Sequence, residues 1–351
     1  MLKIRCYQPS LVAAFILLLA TVAAANAEQR QFTDSTARTI GVPAEIERVY
    51  AAGGPASVMV YALAPDKLIG WTRAVKPAER PWFPERYANL PELGRLTGRG
   101  NTANVEVLLK ARPDIVVDVG SLAPTFVSLA GRVQAQTGIP YLLFDGTLAQ
   151  TAQTLRALGA LLGEEPRAQQ LAGYVDRTLS EIQGKVANLP AEARPRVYYA
   201  RGPDGLQTGL AGSINAEVLD WLGARNVASA AGRGGLATVS LEQVLQWNPE
   251  VIVTIDLNFF EKIFADPRWR SIEAVKKRRV YLSPHLPFGW FDFPPSLNRL
   301  IGLQWLAQVF YPRLFDYDLR ARTREFYRLF YHREPTAAQL DSLLQDAAGK
   351  R

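Results

Sequence analysis

The chain has 351 residues, 48% of them hydrophobic and 21% charged, with a formal net charge of +7. That length suits one large domain or two of ordinary size, and the balance excludes a disordered chain, a coiled coil, a collagen and a polytopic membrane protein. The positive charge is spread without blocks, which argues against a nucleic-acid-binding tail, and a single cysteine excludes a disulfide-rich miniprotein.

Residues 1–27 read as a cleavable signal peptide. Lys3 and Arg5 form a positive start, Leu11 to Ala20 a short apolar core, and Ala25-Asn26-Ala27 a small-residue cleavage site. Cys6 precedes the apolar core, so it is not placed as a lipoprotein cysteine, and cleavage leaves a chain without thiols. The expected compartment is the periplasm of a Gram-negative bacterium.

The rest predicts an α/β fold in three parts. Residues 28–166 form an N-terminal lobe, with strands near 47–52, 68–72, 115–119 and 140–144 and helices near 56–64, 104–111, 123–137 and 148–163. Residues 167–190 carry Leu171, Tyr174, Val175, Leu179, Ile182 and Val186 at steps of three and four, the mark of one long amphipathic helix between Pro166 and Pro190. Residues 191–351 form a C-terminal lobe, with strands near 196–200, 251–255 and 279–282 and helices near 213–222, 240–247 and 268–276. Three C-terminal helices follow, near 296–310, 317–331 and 335–348. Strands alternating with helices favour parallel sheets.

The two lobes carry a repeat. Residues 104–120 (NVEVLLKARPDIVVDVG) align without gaps to 240–256 (SLEQVLQWNPEVIVTID), with identities at Glu106/Glu242, Leu109/Leu245, Pro113/Pro249 and Val117/Val253. In each, an N-cap residue (Asn104, Ser240) opens a short helix, a proline follows it, and an apolar run makes a buried strand. The stretch from Arg48 to Pro55 similarly matches Arg196 to Pro203, each a strand ending in a Gly-Pro loop. Two pairs in the same order point to an internal duplication.

Catalytic signatures are missing: there is no G-x-S-x-G, no G-x-x-x-x-G-K-[ST], no H-E-x-x-H and no C-x-x-C. Gly98 to Ala103 matches a dinucleotide fingerprint, but no convincing strand precedes it. Only two histidines exist, His285 and His332, the latter expected at the surface. The sequence reads as a binder, not an enzyme.

Four motifs in order carry a family resemblance: Arg48 to Trp71 (RVYAAGGPASVMVYALAPDKLIGW), Leu90 to Gly94 followed by Asn104-Val105-Glu106, Pro113-Asp114, and Val239 to Glu242 with Pro249-Glu250. The chain resembles the periplasmic substrate-binding proteins of ABC importers for iron–siderophore, haem, cobalamin and related metal complexes. The aromatic segment Pro287 to Ser296 resembles a sub-branch that also holds molybdate and tungstate binders. The resemblance implies two Rossmann-like lobes joined by a single long α-helix, with the ligand cleft between them. It implies a monomer that delivers a ferric siderophore, haem or corrinoid type of metal complex to the permease dimer of an inner-membrane importer, touching the membrane only through that permease. A molybdate or tungstate oxyanion is the alternative cargo, and no resident cofactor is expected. Other readings are a periplasmic hydrolase or lyase, disfavoured by the missing motifs, and a signalling adaptor. Family docking acids map onto Glu106 and Glu242, which also suit helix first turns.

Ligands of open α/β folds bind at the carboxyl ends of strands. That places Gly53, Gly54, Pro55, Trp71, Thr72, Arg73, Gly120 and Ser121 on one wall of the cleft. Tyr199, Arg201, Gly202, Asp256, Leu257 and the loop from His285 to Phe291 belong on the other. The arginines suit an anion, Trp71 and Trp290 a planar or apolar face, and His285 is the candidate for direct metal contact.

Overall fold

The computed structural model describes residues 29–98 and 104–347; the expected signal peptide with Cys6, and residues 99–103 of the glycine-containing stretch, lie outside them. A hairpin that the sequence did not announce comes first. β1 (Gln29–Thr33) and β2 (Thr39–Pro43) pair antiparallel. Their turn is held by Asp34, whose carboxylate accepts from the Thr36 and Arg38 backbone N–H groups and from that of Leu143 in the lobe beneath.

The N-terminal lobe then runs β3 (Val49–Ala51), α1 (Gly54–Leu63), α2 (Glu85–Ala88), α3 (Val105–Ala111), β4 (Ile115–Gly120), α4 (Pro124–Thr137), β5 (Tyr141–Asp145) and α5 (Thr151–Leu162). β3, β4 and β5 form a parallel sheet in that order. The strand expected at 68–72 reduces to two single bridges, Val49 to Leu68 and Trp71 to Glu92. Gly70 lets this stretch lie close against the 91–93 segment: a Cβ there would stand 2.7 Å from the Pro91 carbonyl oxygen.

α6 (Glu165–Val186) is the expected connecting helix, roughly 33 Å long at 1.5 Å per residue. The apolar positions picked out by periodicity are all on its buried face. The C-terminal lobe follows as β6 (Arg196–Ala200), β7 (Gln207–Gly209), α7 (Glu217–Trp221), β8 (Arg225–Asn226), β9 (Leu236–Thr238), α8 (Leu241–Trp247), β10 (Val251–Thr254), α9 (Leu257–Lys262), α10 (Glu273–Lys276) and β11 (Val280–Leu282). Its parallel sheet has the order β11-β10-β6-β8, and β7 pairs antiparallel with β9 as a separate ribbon. The helices expected at 213–222 and 268–276 shrink to their last turns, and α9 was not foreseen.

The duplication is visible in atomic detail. Asn104 caps α3 by accepting from Val107 N–H at 3.0 Å. Ser240 caps α8 with a full capping box, accepting from Gln243 N–H at 3.2 Å while its own N–H donates to the Gln243 side chain at 2.9 Å. Both helices end on a left-handed residue, Arg112 at φ 47° and Asn248 at φ 43°. Arg48 donates to the last carbonyls of the first helix (Ala111 and Arg112), and Arg196 to those of the second (Trp247 and Asn248). Asp114 and Glu250 each accept the backbone N–H of those same arginines. Strand register agrees: Val49 faces Ile115 as Val197 faces Val251.

The last segment departs from expectation. α11 (Arg299–Phe310), α12 (Leu319–Phe330) and α13 (Ala337–Ala347) do not simply complete the C-terminal lobe. α11 packs on α6 and α7, while α12 reaches α1. Tyr61 of α1 donates its hydroxyl to Tyr331 O at 2.6 Å, Arg333 donates to Phe83 O at 3.0 Å, and Arg167 donates to Leu329 O. His332, expected at the surface, is half-buried, its Nε2 2.9 Å from Tyr61 O, and burial pulls its pKa below the ordinary histidine value. Val197, Val251 and Phe291 share one continuous core with Val49, Leu171 and Tyr331.

Arg299 ties the lobes at the centre of that core. It is 1% exposed and donates to Glu217 Oε2 at 2.8 Å, to Gly146 O at 2.6 Å and to Ser296 O at 3.2 Å. Glu217 also accepts the backbone N–H of Leu148 at 3.0 Å. Removing one partner of such a buried pair leaves the other charged and unmatched, which costs about 3–5 kcal/mol. Arg299→Met is therefore expected to lower the urea-unfolding free energy by that amount, and Arg299→Met/Glu217→Leu by less. Equal losses for the single and double variants would show that the pair is not coupled.

Candidate functional site

β3 leads through Ala52 into Gly53-Gly54-Pro55, and little space remains beside either glycine. A Cβ on Gly53 would stand 2.7 Å from Thr97 Oγ1, and one on Gly54 would stand 3.1 Å from the Pro294 side chain. Pro55 sits in the first turn of α1, where its missing N–H costs nothing, and no side chain caps this helix end. The uncapped first turn lines a cavity of about 350 Å³ between the lobes. Its partial positive charge makes it a favourable seat for an anion.

Three arginines and three carboxylates line the same cavity: Arg73, Arg95, Arg201, Glu79, Asp118 and Asp292. Arg73 grips Glu79 through two parallel bonds of 2.7 and 2.8 Å. Arg201 leaves β6 and places Nη1 3.2 Å from Asp292 Oδ2, and that nitrogen, although buried, makes no hydrogen bond of good geometry. Asp292 is fully buried. It accepts from the Tyr199 hydroxyl at 2.6 Å and from the Asn215 amide. Burial pushes its carboxyl up, while Arg201, Tyr199 and Asn215 pull it back. Asp118, on β4, is 5% exposed; burial raises its carboxyl to about 6, against hydrogen bonds from Thr97 and Tyr141. Trp71, Phe83 and Phe288 form an aromatic wall, with Trp71 5.3 Å from Phe83 and 6.0 Å from Phe288. Phe293, 52% exposed, stands on the lining as well.

The residues expected in the cleft divide. Gly53, Gly54, Pro55, Trp71, Thr72, Arg73, Gly120, Ser121 and Arg201 all line the cavity. Tyr199 lies directly behind it, acting through Asp292. Trp290 does not reach it: it is fully buried, donates Nε1 to the Tyr327 hydroxyl at 3.1 Å and packs edge-on to Trp305. The α11 backbone presses against it, since a Cβ on Gly302 would fall 1.9 Å from Trp290 O. His285 is exposed outside the lining, and Asp256 caps α9 by accepting from Phe259 N–H at 3.1 Å. The segment after β11 reaches the cavity farther on, with Phe288, Asp292 and Phe293. Glu79, Arg95, Thr97, Asp118, Asn215 and Asp292 were not singled out, although an aspartate inside the apolar run IVVDVG was a readable signal. Among the described residues, no group of three or more His, Cys, Asp or Glu side chains could hold a metal ion.

Glu106 and Glu242 occupy equivalent first turns of α3 and α8, and both are exposed. The Glu242 carboxyl is held below the usual range by its own backbone N–H and by Ser240.

A family model described as "Periplasmic binding protein" matches residues 59–285. The molybdate-binding protein MolA of Haemophilus influenzae is 28% identical over 90% of this chain and 94% of its own length. The haem uptake protein IsdE of Staphylococcus aureus is 22% identical over 61% of this chain and 73% of its own. Among solved structures, an ABC transporter solute-binding protein from Sulfurospirillum deleyianum superposes with TM-score 0.82 at 30% identity, covering 90% of this chain and 99% of that one. MolA bound to molybdate superposes with TM-score 0.73 at 23% identity, over 88% and 99% of the two chains.

The buried Asp292 sets a pH signature for Arg201. Without the guanidinium the carboxyl rises further above its unfolded value, so the penalty is complete above the folded-state pKa and fades as pH falls through it. Arg201→Met is expected to destabilise by roughly 3 kcal/mol at pH 8 and clearly less at pH 5, read by urea unfolding. A loss that does not vary with pH would show that Asp292 does not depend on Arg201.

Proposed function

Given that the chain belongs to the periplasmic binding protein family, we propose that it captures an anion carrying a metal, of the molybdate oxyanion class, and hands it to an ABC importer. One observation carries this reading: the uncapped start of α1 opens into a cavity lined by arginines from both lobes, Arg73 and Arg95 from one and Arg201 from the other. A helix start supplies N–H donors and positive potential, and guanidinium groups match oxyanions in geometry. The likeness to MolA over most of both chains supports the same class. The metal arrives with its own oxygens and needs no side-chain ligands, which fits a wall of arginines, glycines and aromatics.

A second reading has its own observation. The cavity of about 350 Å³, walled by Trp71, Phe83 and Phe288, offers more room than a bare tetrahedral oxyanion fills, and suits a compact carboxylate-bearing ferric chelate. Titration calorimetry with molybdate, tungstate and ferric citrate separates the two. Tight binding of molybdate and tungstate is expected. A charged hydrogen bond contributes about 1.5–3 kcal/mol, so Arg201→Ala is expected to weaken their binding ten- to a hundredfold. Binding of ferric citrate with no heat from the oxyanions overturns the first reading in favour of the second.

Delivery requires docking, which we assign to Glu106 and Glu242. Their support is geometric: two exposed carboxylates at the same place in two repeats can address two like pockets of a permease dimer. Glu106→Arg/Glu242→Arg is expected to retain ligand affinity and to lose ligand-stimulated transport with the cognate importer in proteoliposomes. Transport at the parent rate would remove the assignment.

A further inference from the structure

This inference rests on the reading that the ligand is an anion, and it concerns a residue that neither the repeat nor the resemblance singled out. Of the three carboxylates on the cavity wall, Glu79 is gripped by Arg73, and Asp292 lies beside Arg201. Asp118 differs. Among the described residues its side-chain partners are neutral hydroxyls: Thr97 Oγ1 donates to Oδ1 at 3.2 Å and the Tyr141 hydroxyl donates to Oδ2 at 3.3 Å. Tyr141, from β5, stays protonated because burial and the nearby Asp118 charge push it far above the ordinary tyrosine value. Tyr50, from β3, is raised to about 12 by burial and donates to Leu93 O, away from the carboxylate. Arg38 lies beyond Tyr141, Arg95 belongs to the segment that carries Thr97, and the Arg73–Glu79 and Arg201–Asp292 pairs stand elsewhere on the lining.

The position of Asp118 matters as much as its partners. A Cβ on Gly53, the N-cap of α1, would stand 3.6 Å from Asp118 Oδ1. The carboxylate therefore borders the helix start where the anion is seated. A dianion seated there adds negative charge beside a carboxyl that burial already biases toward its neutral form, so the two do not both remain charged. Molybdate and tungstate stay dianionic between pH 6 and 8, so the carboxyl is the group that yields.

We infer that Asp118 couples capture of the anion to uptake of one proton, which the carboxyl holds and donates to a ligand oxygen while Thr97 and Tyr141 keep it in place. The bond that forms is O–H on the carboxyl, and the proton comes from solvent. The site then prefers an anion presenting an acceptor at that point and releases it more readily as pH rises.

The test is calorimetry of molybdate binding in buffers of different ionisation enthalpy, with Asp118→Asn alongside. If the ligand lifts the carboxyl by about two units from its value near 6, uptake is about 0.8 proton at pH 7, and affinity falls roughly 25-fold from pH 6 to pH 8. Asp118→Asn keeps the shape and an N–H donor but cannot titrate, so its affinity is expected to be flat over that range, with no proton uptake. Should this variant fail to fold, the ¹³Cγ shift of Asp118 in the parent protein decides: titration displaced upward on loading supports the coupling, and an unchanged titration overturns it. Heat without buffer dependence, or an Asp118→Asn variant that keeps the parent pH slope, overturns the coupling and leaves the ligand class standing. No binding of molybdate, tungstate or ferric citrate overturns the ligand class and the coupling together.

Discussion

A guanidinium buried at the junction of three segments governs this molecule. Arg299 is reached by the loop after β5, by the segment entering α7 and by the entry to α11, and it donates hydrogen bonds to oxygens of each. Burial works against its charge, and Glu217 and Asp292 work in favour of it. Taken alone such a pair adds little to stability, because desolvation offsets the attraction. What it adds is geometry: a charge with fixed partners tolerates few alternative arrangements, so the lobes are set at one spacing. The long α6, the shared apolar core and the bonds from Tyr61 to Tyr331 O, Arg333 to Phe83 O and Ser296 to Pro55 O complete the frame.

Much of the architecture could be read from the chain because the signals were local and repeated. Asn104 and Ser240 at helix starts, left-handed Arg112 and Asn248 at helix ends, and the β-branched runs that follow are choices the backbone makes within a few residues. Duplication let each copy vouch for the other. Elements that depend on distant partners were not legible. The β1–β2 hairpin owes its place to Asp34 reaching Leu143, and no window of sequence contains both. The C-terminal helices were located, but their contacts with α6 and α1 were not legible, since amphipathic spacing says that a face is buried and not against what. α9 was missed because its signal is one N-cap aspartate, which also suited a cleft.

The candidate site divides along the same line. Residues that follow strands directly, such as Gly53 and Arg201, were placed by topology alone. Trp290 was not, because an aromatic-rich loop looks equally suited to packing and to binding, and here α11 closes on it. The opposite error concerns Asp118 and Asp292. A lone carboxylate in an apolar strand or an aromatic loop is costly to bury, so its presence there calls for a reason. Asp118 borders the helix start, held by the Thr97 and Tyr141 hydroxyls and the Val119 backbone, and Asp292 anchors Arg201. The sequence carried that information as an oddity of composition rather than as a motif.

The fold-back of the C-terminal segment has a consequence for the order in which the protein comes into being. α1, whose first turn forms the floor of the cavity, is covered along its flank by Tyr331 and His332, near the far end of the chain. Arg299, which bonds to Gly146 of one lobe and Glu217 of the other, also lies late. A polypeptide delivered N-terminus first therefore holds an unfinished receptor for most of its synthesis, with the apolar residues of α1 awaiting their cover. Contacts of such long sequence separation close slowly. The cavity cannot take its final shape until almost the whole chain is available to fold.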